Sequence, residues 1–216
     1  MAQYLSHLFV CRISGSTTLG FRSLRVINED RVAQGQGFGE HDHDNMEIIS
    51  YVLSGSLKHK DSMGNGEVLR PGEFQRISAG SGITHSEFNP SATEPVHFYQ
   101  IWLEPNVSNI EPSYEQKEFA DAEKRGRLWL VASPDGRDDS IRIHQDANVY
   151  LSQVSGAKDI TYALQPGRYA WLQVFSGQLT INGHSLSTGD GVAISNEQTI
   201  TIKGVEETEF MLFDLA

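Results

Sequence analysis

Two short patterns in this 216-residue chain have residue types and spacing that suit metal chemistry: His41-Asp42-His43 and His85-Ser86-Glu87. In each, one residue separates the two candidates. Side chains at i and i+2 of a β-strand point to the same face. Two neighbouring strands carrying these pairs would aim three imidazoles and a carboxylate at one point. That donor set suits iron, manganese, nickel, copper or zinc, and four protein ligands on a six-coordinate ion leave two positions open. An open site implies chemistry rather than a structural staple. Glu47 has the same parity as His41 and His43, so it is a second candidate carboxylate, either as a ligand or as a group that orients one.

Such pairs need strands to hold them, and the sequence supplies strands throughout. Runs rich in β-branched and aromatic residues cover 24–27, 47–53, 73–78, 96–103, 169–175, 178–181 and 209–213. Turn signals separate them, among them Ser54-Gly55, Asn65-Gly66, Pro71-Gly72, Pro166-Gly167, Ser176-Gly177 and Asn182-Gly183. Helical periodicity is weak, and the best helix candidate is the polar stretch 115–125. The chain reads as an all-β sandwich or barrel protein.

An internal repeat sharpens this reading. Val52-Leu53-Ser54-Gly55-Ser56-Leu57 resembles Val174-Phe175-Ser176-Gly177-Gln178-Leu179, at an offset of 122. Pro71-Gly72-Glu73 with Ile77-Ser78 resembles Thr188-Gly189-Asp190 with Ile194-Ser195, at an offset of 117. Two copies of one unit are expected, with their boundary in the polar stretch between Glu104 and Arg127. The same offsets carry His41, His43, His85 and Glu87 onto Ala163, Gln165, Ile202 and Gly204. None of these replaces a ligand, so only the first copy is expected to bind metal.

The segment from Gly35 through His41-Asp42-His43 and Glu47 to Gly55 resembles the first cupin motif. Pro71-Gly72 with Gly82-Ile83-Thr84-His85-Ser86-Glu87-Phe88-Asn89 resembles the second. A closer match lies in Gly20-Phe21-Arg22, Asn28-Glu29-Asp30, Met46-Glu47-Ile48, Asp61-Ser62-Met63-Gly64-Asn65, His85 through Pro90, and Tyr99-Gln100-Ile101-Trp102. On these runs the chain is identified as a member of the pirin family of bicupins. The match is dense over residues 20–114, and Leu212-Phe213-Asp214-Leu215 fits the bacterial branch.

The resemblance implies two cupin, jelly-roll-like β-barrels packed face to face. Residues 1–115 form the metal-binding one, and residues 116–216 form one without ligands. It implies one divalent ion, Fe(II) first, with Mn, Ni, Cu, Co and Zn as alternatives, held by His41, His43, His85 and Glu87. The implied activity is that of a quercetin 2,3-dioxygenase, an oxidoreductase that opens a flavonol ring with dioxygen and releases carbon monoxide. Glu87 would serve as ligand and as base for the flavonol hydroxyl. The alternative is a non-catalytic, metal-binding regulator acting through a protein partner. Two departures stand out. The family's usual N-terminal runs are replaced by Ser6-His7-Leu8-Phe9-Val10 and by residues 13–18, which bears on substrate binding. The residue between the first two histidines, commonly proline, is Asp42, which alternation turns away from the ligands.

Other candidates read as structural. His59, His97, His144 and His184 are taken as surface or packing residues. Phe38, Phe74, Phe88, Phe98 and Trp102 are taken as core, with a flat apolar pocket as the alternative. The glycine-rich run 80–82 is a turn without the lysine and helix that phosphate binding needs. Seventeen basic against 28 acidic residues give a net charge of -11, which disfavours non-specific contact with nucleic acid or anionic membranes and leaves a protein partner open. Cys11 is the sole cysteine, so no internal disulfide is expected. The N-terminal residues lack the features of a signal peptide, and no apolar run approaches the ~20 residues of a spanning helix. The expected address is the cytoplasm and the expected state a monomer.

Overall fold

The computed structural model describes residues 7–12, 20–119, 124–156 and 159–216. The first half of the chain contains β1 (His7–Arg12), β2 (Leu24–Val32), β3 (Gly37–His43), β4 (Glu47–Ser54), β5 (Leu57–Asp61), β6 (Val68–Leu69), β7 (Glu73–Ser78), β8 (Ile83–Phe88), β9 (Val96–Leu103) and β10 (Ser113–Glu118). The second contains β11 (Trp129–Ser133), β12 (Ile141–Arg142), β13 (Ala147–Val154), β14 (Ile160–Ala163), β15 (Tyr169–Ser176), β16 (Gln178–Ile181), β17 (His184–Ser187), β18 (Asp190–Ser195), β19 (Thr199–Gly204) and β20 (Thr208–Leu215). Among the described residues no helix is long and apolar enough to cross a membrane.

The strands form two jelly-roll units, each a pair of sheets rather than a closed barrel. The first unit has a five-stranded sheet, β10-β7-β4-β9-β2, and a four-stranded sheet, β3-β8-β5-β6. The second has a seven-stranded sheet, β1-β18-β15-β20-β13-β11-β12, and a four-stranded sheet, β14-β19-β16-β17. The repeat is visible strand by strand, with β4, β7 and β9 matching β15, β18 and β20. Its Ser-Gly turns are matched as well. Gly55 and Gly177 have φ of 77° and 83°, and a Cβ on either would come within 2.5 Å of a backbone carbonyl, so only glycine fits.

The edges of the two large sheets are exchanged. β1 pairs with β18 in the second unit, and β10, which leads into the second unit, pairs with β7 in the first. This overturns the helix expected over 115–125 in its first part: the chain is strand as far as Glu118, and residues 120–123 lie outside the described residues. The reason is tertiary. Tyr114 and Gln116 alternate inward and bond Gln75 and Glu73 of the neighbouring strand, and such pairing outweighs local propensity.

The outer faces of the two large sheets pack against each other. Tyr51 and Tyr99 lie 5.5 and 4.4 Å, ring to ring, from Phe175, inside a core that also holds Ile49, Phe74, Ile101, Met211 and Phe213. The interior of the second unit is one continuous apolar cluster. The interior of the first is split into two small clusters, Val52-Leu57-Leu69-Val96-Phe98 and Ile48-Ile77-Ala79-Ile83. Polar side chains occupy the space between them.

Candidate metal centre

β3 and β8 are antiparallel neighbours, with His41 opposite His85 and His43 opposite Ile83. A bulge between Phe38 and His41 adds one residue to β3 and sets the face on which the two histidines lie. One ring nitrogen from each of His41, His43 and His85 lies within 4.8 Å of the other two. His43 Nε2 and both ring nitrogens of His85 are buried and have no hydrogen-bond partner among the described residues. His41 Nδ1 donates to the Gly39 carbonyl at 2.8 Å. Its Nε2 therefore keeps the lone pair, the tautomer a metal ligand requires.

Glu87, 1% exposed, belongs to an overlapping group, with donor atoms of His59, His85 and Glu87 within 4.8 Å of one another. Its carboxylate accepts hydrogen bonds from Ser50 Oγ at 3.3 Å and Gln100 Nε2 at 2.6 Å. Ser50, Gln75 and Gln100 form one row across the large sheet. The matching row in the second unit is Leu172, Val192 and Leu212. The ladder that corresponds to the histidines pairs Ile160 with Ile202 and Tyr162 with Ile200. Ala163 and Gln165, the positions reached by the constant offset, are exposed. β14 lacks the bulge of β3, so the inward positions fall at Ile160 and Tyr162. No side chain in either row of the second unit replaces an imidazole or carboxylate ligand.

The electrostatics favour a cation. Burial, reinforced by His41 and His43, pushes the His85 pKa down to about 3. Burial and the neighbouring His41 lower that of His43. Burial raises that of Glu87 against the pull of His59, Ser50 and Gln100. The His43 and His85 imidazoles are thus held neutral with lone pairs available, and the carboxyl resists ionising without a nearby positive charge. The orphaned nitrogens and this donor set fit a divalent ion.

The remaining predicted residues separate. Asp42 is exposed and accepts the hydroxyl of Thr84. Glu47 is buried but points to the other unit, where it accepts the backbone N–H of His144 at 3.3 Å. The Asp44–Asn45 turn, with Asn45 at φ 45°, breaks the parity that linked Glu47 to the histidines. His97 bonds Glu29 at 2.8 Å, and His184 is exposed. Of the aromatic positions, Trp102 packs edge-on against His43, with ring centroids 5.0 Å apart. Phe38 is 41% exposed and edges onto Phe98, whereas Phe74 lies on the far face of its sheet. The altered run at residues 13–18 lies outside the described residues.

His59, read from the sequence as a surface or packing residue, is fully buried beside the centre. Ser50, Gln75 and Gln100 carry no sign of a site role in the sequence. His59-Lys60-Asp61 repeats the His-x-acid spacing of His85-Ser86-Glu87 in another strand, and this was the available signal. The other three are ordinary polar residues whose role emerges only when a sheet places them side by side.

Comparison with known proteins bears on this site. A family model described as pirin matches residues 5–103, and one described as the quercetinase C-terminal cupin domain matches residues 130–215. A quercetin 2,3-dioxygenase from Escherichia coli (strain K12) is 48% identical over 197 residues, spanning 91% of this chain and 84% of the relative. The crystal structure of YhhW from Escherichia coli superposes with a TM-score of 0.89 at 47% identity, covering 92% of this chain and 83% of that one. A structure of bacterial pirin YhhW in complex with nickel(II), also from Escherichia coli, gives a TM-score of 0.88 at 45% identity, covering 96% and 91%.

Proposed function

The chain belongs to the pirin family, and from that membership we propose that it is a metal-dependent dioxygenase of the quercetin 2,3-dioxygenase type. The substrate would be a flavonol-like aromatic and the co-substrate dioxygen. Both oxygen atoms enter the ring-opened product, and one ring carbon leaves as carbon monoxide. His41, His43, His85 and Glu87 would hold the ion, with Fe(II) as the first candidate and Mn, Ni, Cu, Co and Zn as alternatives. The relative's nickel complex supports metal binding at such a site, and affinity order alone does not select the metal. When bound, the ion supplies Lewis acidity that lowers the pKa of a substrate hydroxyl.

The chain's own residues do the rest. Glu87 takes the hydroxyl proton on a carboxylate oxygen. Ser50 and Gln100 fix the direction of that carboxylate, and Trp102 and Phe38 offer aromatic surface for a flat substrate. We include in the proposal the division into a ligand-bearing half, residues 1–115, and a scaffold half, residues 116–216. The separate family matches on either side support it. A cytoplasmic address and a monomer are part of the same reading, and the monomer is supported by the two units covering each other's apolar faces within one chain.

The observation that carries the proposal is the convergence of three histidines, with His43 Nε2 and both His85 nitrogens buried and unpartnered among the described residues, in a unit whose twin has isoleucine and tyrosine there. The test follows the visible absorbance of quercetin with and without Fe(II), in air and without oxygen. Loss that needs both supports the dioxygenase. Tight metal binding without any such loss overturns it and leaves a metal-binding module that serves a protein partner.

A further inference from the structure

We propose that His59 is a positioning residue for this centre: its Nδ1 lone pair accepts the N–H of whichever His85 nitrogen faces away from the ion. The inference rests on the reading above, in which His85 is a ligand. A neutral imidazole has one N–H and one lone pair. Once His85 gives its lone pair to a metal, its other nitrogen carries the proton and needs an acceptor, as ligating histidines almost always have. Both nitrogens of His85 are buried without a partner among the described residues. The oxygens of Glu87 already accept from Ser50 and Gln100.

His59 is fully buried, its ring lies 5.5 Å from that of His85, and its Nδ1 has no hydrogen-bond partner among the described residues. Its tautomer is fixed from the far side. Nε2 lies 2.8 Å from Asp61 Oδ2. Asp61 also accepts from the backbone N–H of Met63 and Asn65 at 2.9 and 3.1 Å and from Asn65 Nδ2 at 2.8 Å. A carboxylate held by so many donors accepts from His59 as well, so Nε2 carries the hydrogen and Nδ1 the lone pair. Tyr114 of the exchanged strand β10 stacks on the His59 ring at 4.9 Å and 21°, which sets its plane. With the ion bound, the chain would run from Asp61 through His59 to His85.

The test uses Zn(II) affinity by chelator competition, together with nitrogen-15 histidine NMR of the zinc-loaded protein. His59→Phe keeps a ring against Tyr114 and removes the acceptor. Asp61→Asn places an amide N–H against Nε2, which drives the His59 proton to Nδ1 and turns the acceptor into a donor. Both variants should bind Zn(II) about 10–100-fold more weakly. NMR should show His59 as the Nε2–H tautomer in the native protein and as Nδ1–H in Asp61→Asn. Native-like affinity in both variants, or a native His59 that carries its proton on Nδ1, overturns the inference while leaving His85 a ligand. Native-like affinity in His85→Ala overturns the ligand reading itself, and this inference with it.

Discussion

Gln100 donates a 2.6 Å hydrogen bond to Glu87, and its carbonyl oxygen accepts the indole N–H of Trp102 at 3.2 Å. The indole can only donate, so it fixes which end of the amide faces the carboxylate. Leu212 occupies the matching place in the second unit, so the fold accepts leucine there. Gln100→Leu should therefore leave the metal-free protein folded, with a melting temperature within a few degrees of native. Metal affinity should fall about 10–100-fold through loss of the carboxylate's partner. Chelator competition beside thermal melting checks this, and unchanged affinity would remove Gln100 from the centre.

The second prediction concerns the imidazoles themselves. His41→Ala and His85→Ala should each abolish metal retention and turnover together, an effect of at least about 100-fold, beyond what loss of a supporting contact causes. His97→Ala disturbs a histidine bonded to Glu29 and should leave both intact. Elemental analysis of protein purified without added metal, beside the quercetin assay, reads the two quantities. Full activity in metal-free protein would refute the scheme.

Much of this was legible in the sequence because strand periodicity is short-range. Alternation alone places His41 with His43 and His85 with Glu87, and repeated Ser-Gly turns reveal the duplicated unit. What escaped depends on long-range pairing. The β3 bulge shifts which residues of the two units correspond, and a left-handed Asn45 turns Glu47 to the other unit. The edge exchange makes a strand of 113–118, which takes in the start of the polar stretch 115–125 that reads as a helix. Ser50, Gln75 and Gln100 lie far apart in sequence and become a row only through two ladders. His59 carried a usable signal in its spacing from Asp61, but a lone His-x-Asp has many ordinary explanations.

A pH dependence follows from His85. Its folded pKa is about 3, against an ordinary 6.5. A histidine with a depressed folded value contributes stability that is fully present above 6.5 and is lost as pH falls from there through about 3, because the unfolded chain takes up the proton first. Glu87 has the opposite sign. Its raised value favours the fold at low pH, and that contribution is lost as pH rises above the ordinary 4.5. To separate the two, melting temperatures of metal-free native protein and His85→Leu are compared between pH 7 and 4. The native protein should lose more over this range. Parallel curves would mean that His85 is not held neutral by burial.

The last prediction tests whether the second unit is scaffold. Lys124, 2% exposed, donates to Tyr51 Oη and Glu209 Oε1 at 2.8 Å each, and Tyr51 donates to the same carboxylate at 2.6 Å. Glu209 lies on the face of β20 turned toward the first unit, so this cluster joins the units on the side of the large sheet remote from His85. Glu209→Leu takes one carboxylate partner from a buried ammonium that keeps its bond to Tyr51, and should cost on the order of 2 kcal/mol in denaturant unfolding. Lys124→Met together with Glu209→Leu should restore most of it, since an apolar pair avoids the burial of charge. Metal affinity should be unchanged in both proteins while they remain folded. A fall as large as that expected for Gln100→Leu would show instead that the joint between units sets the geometry of the centre.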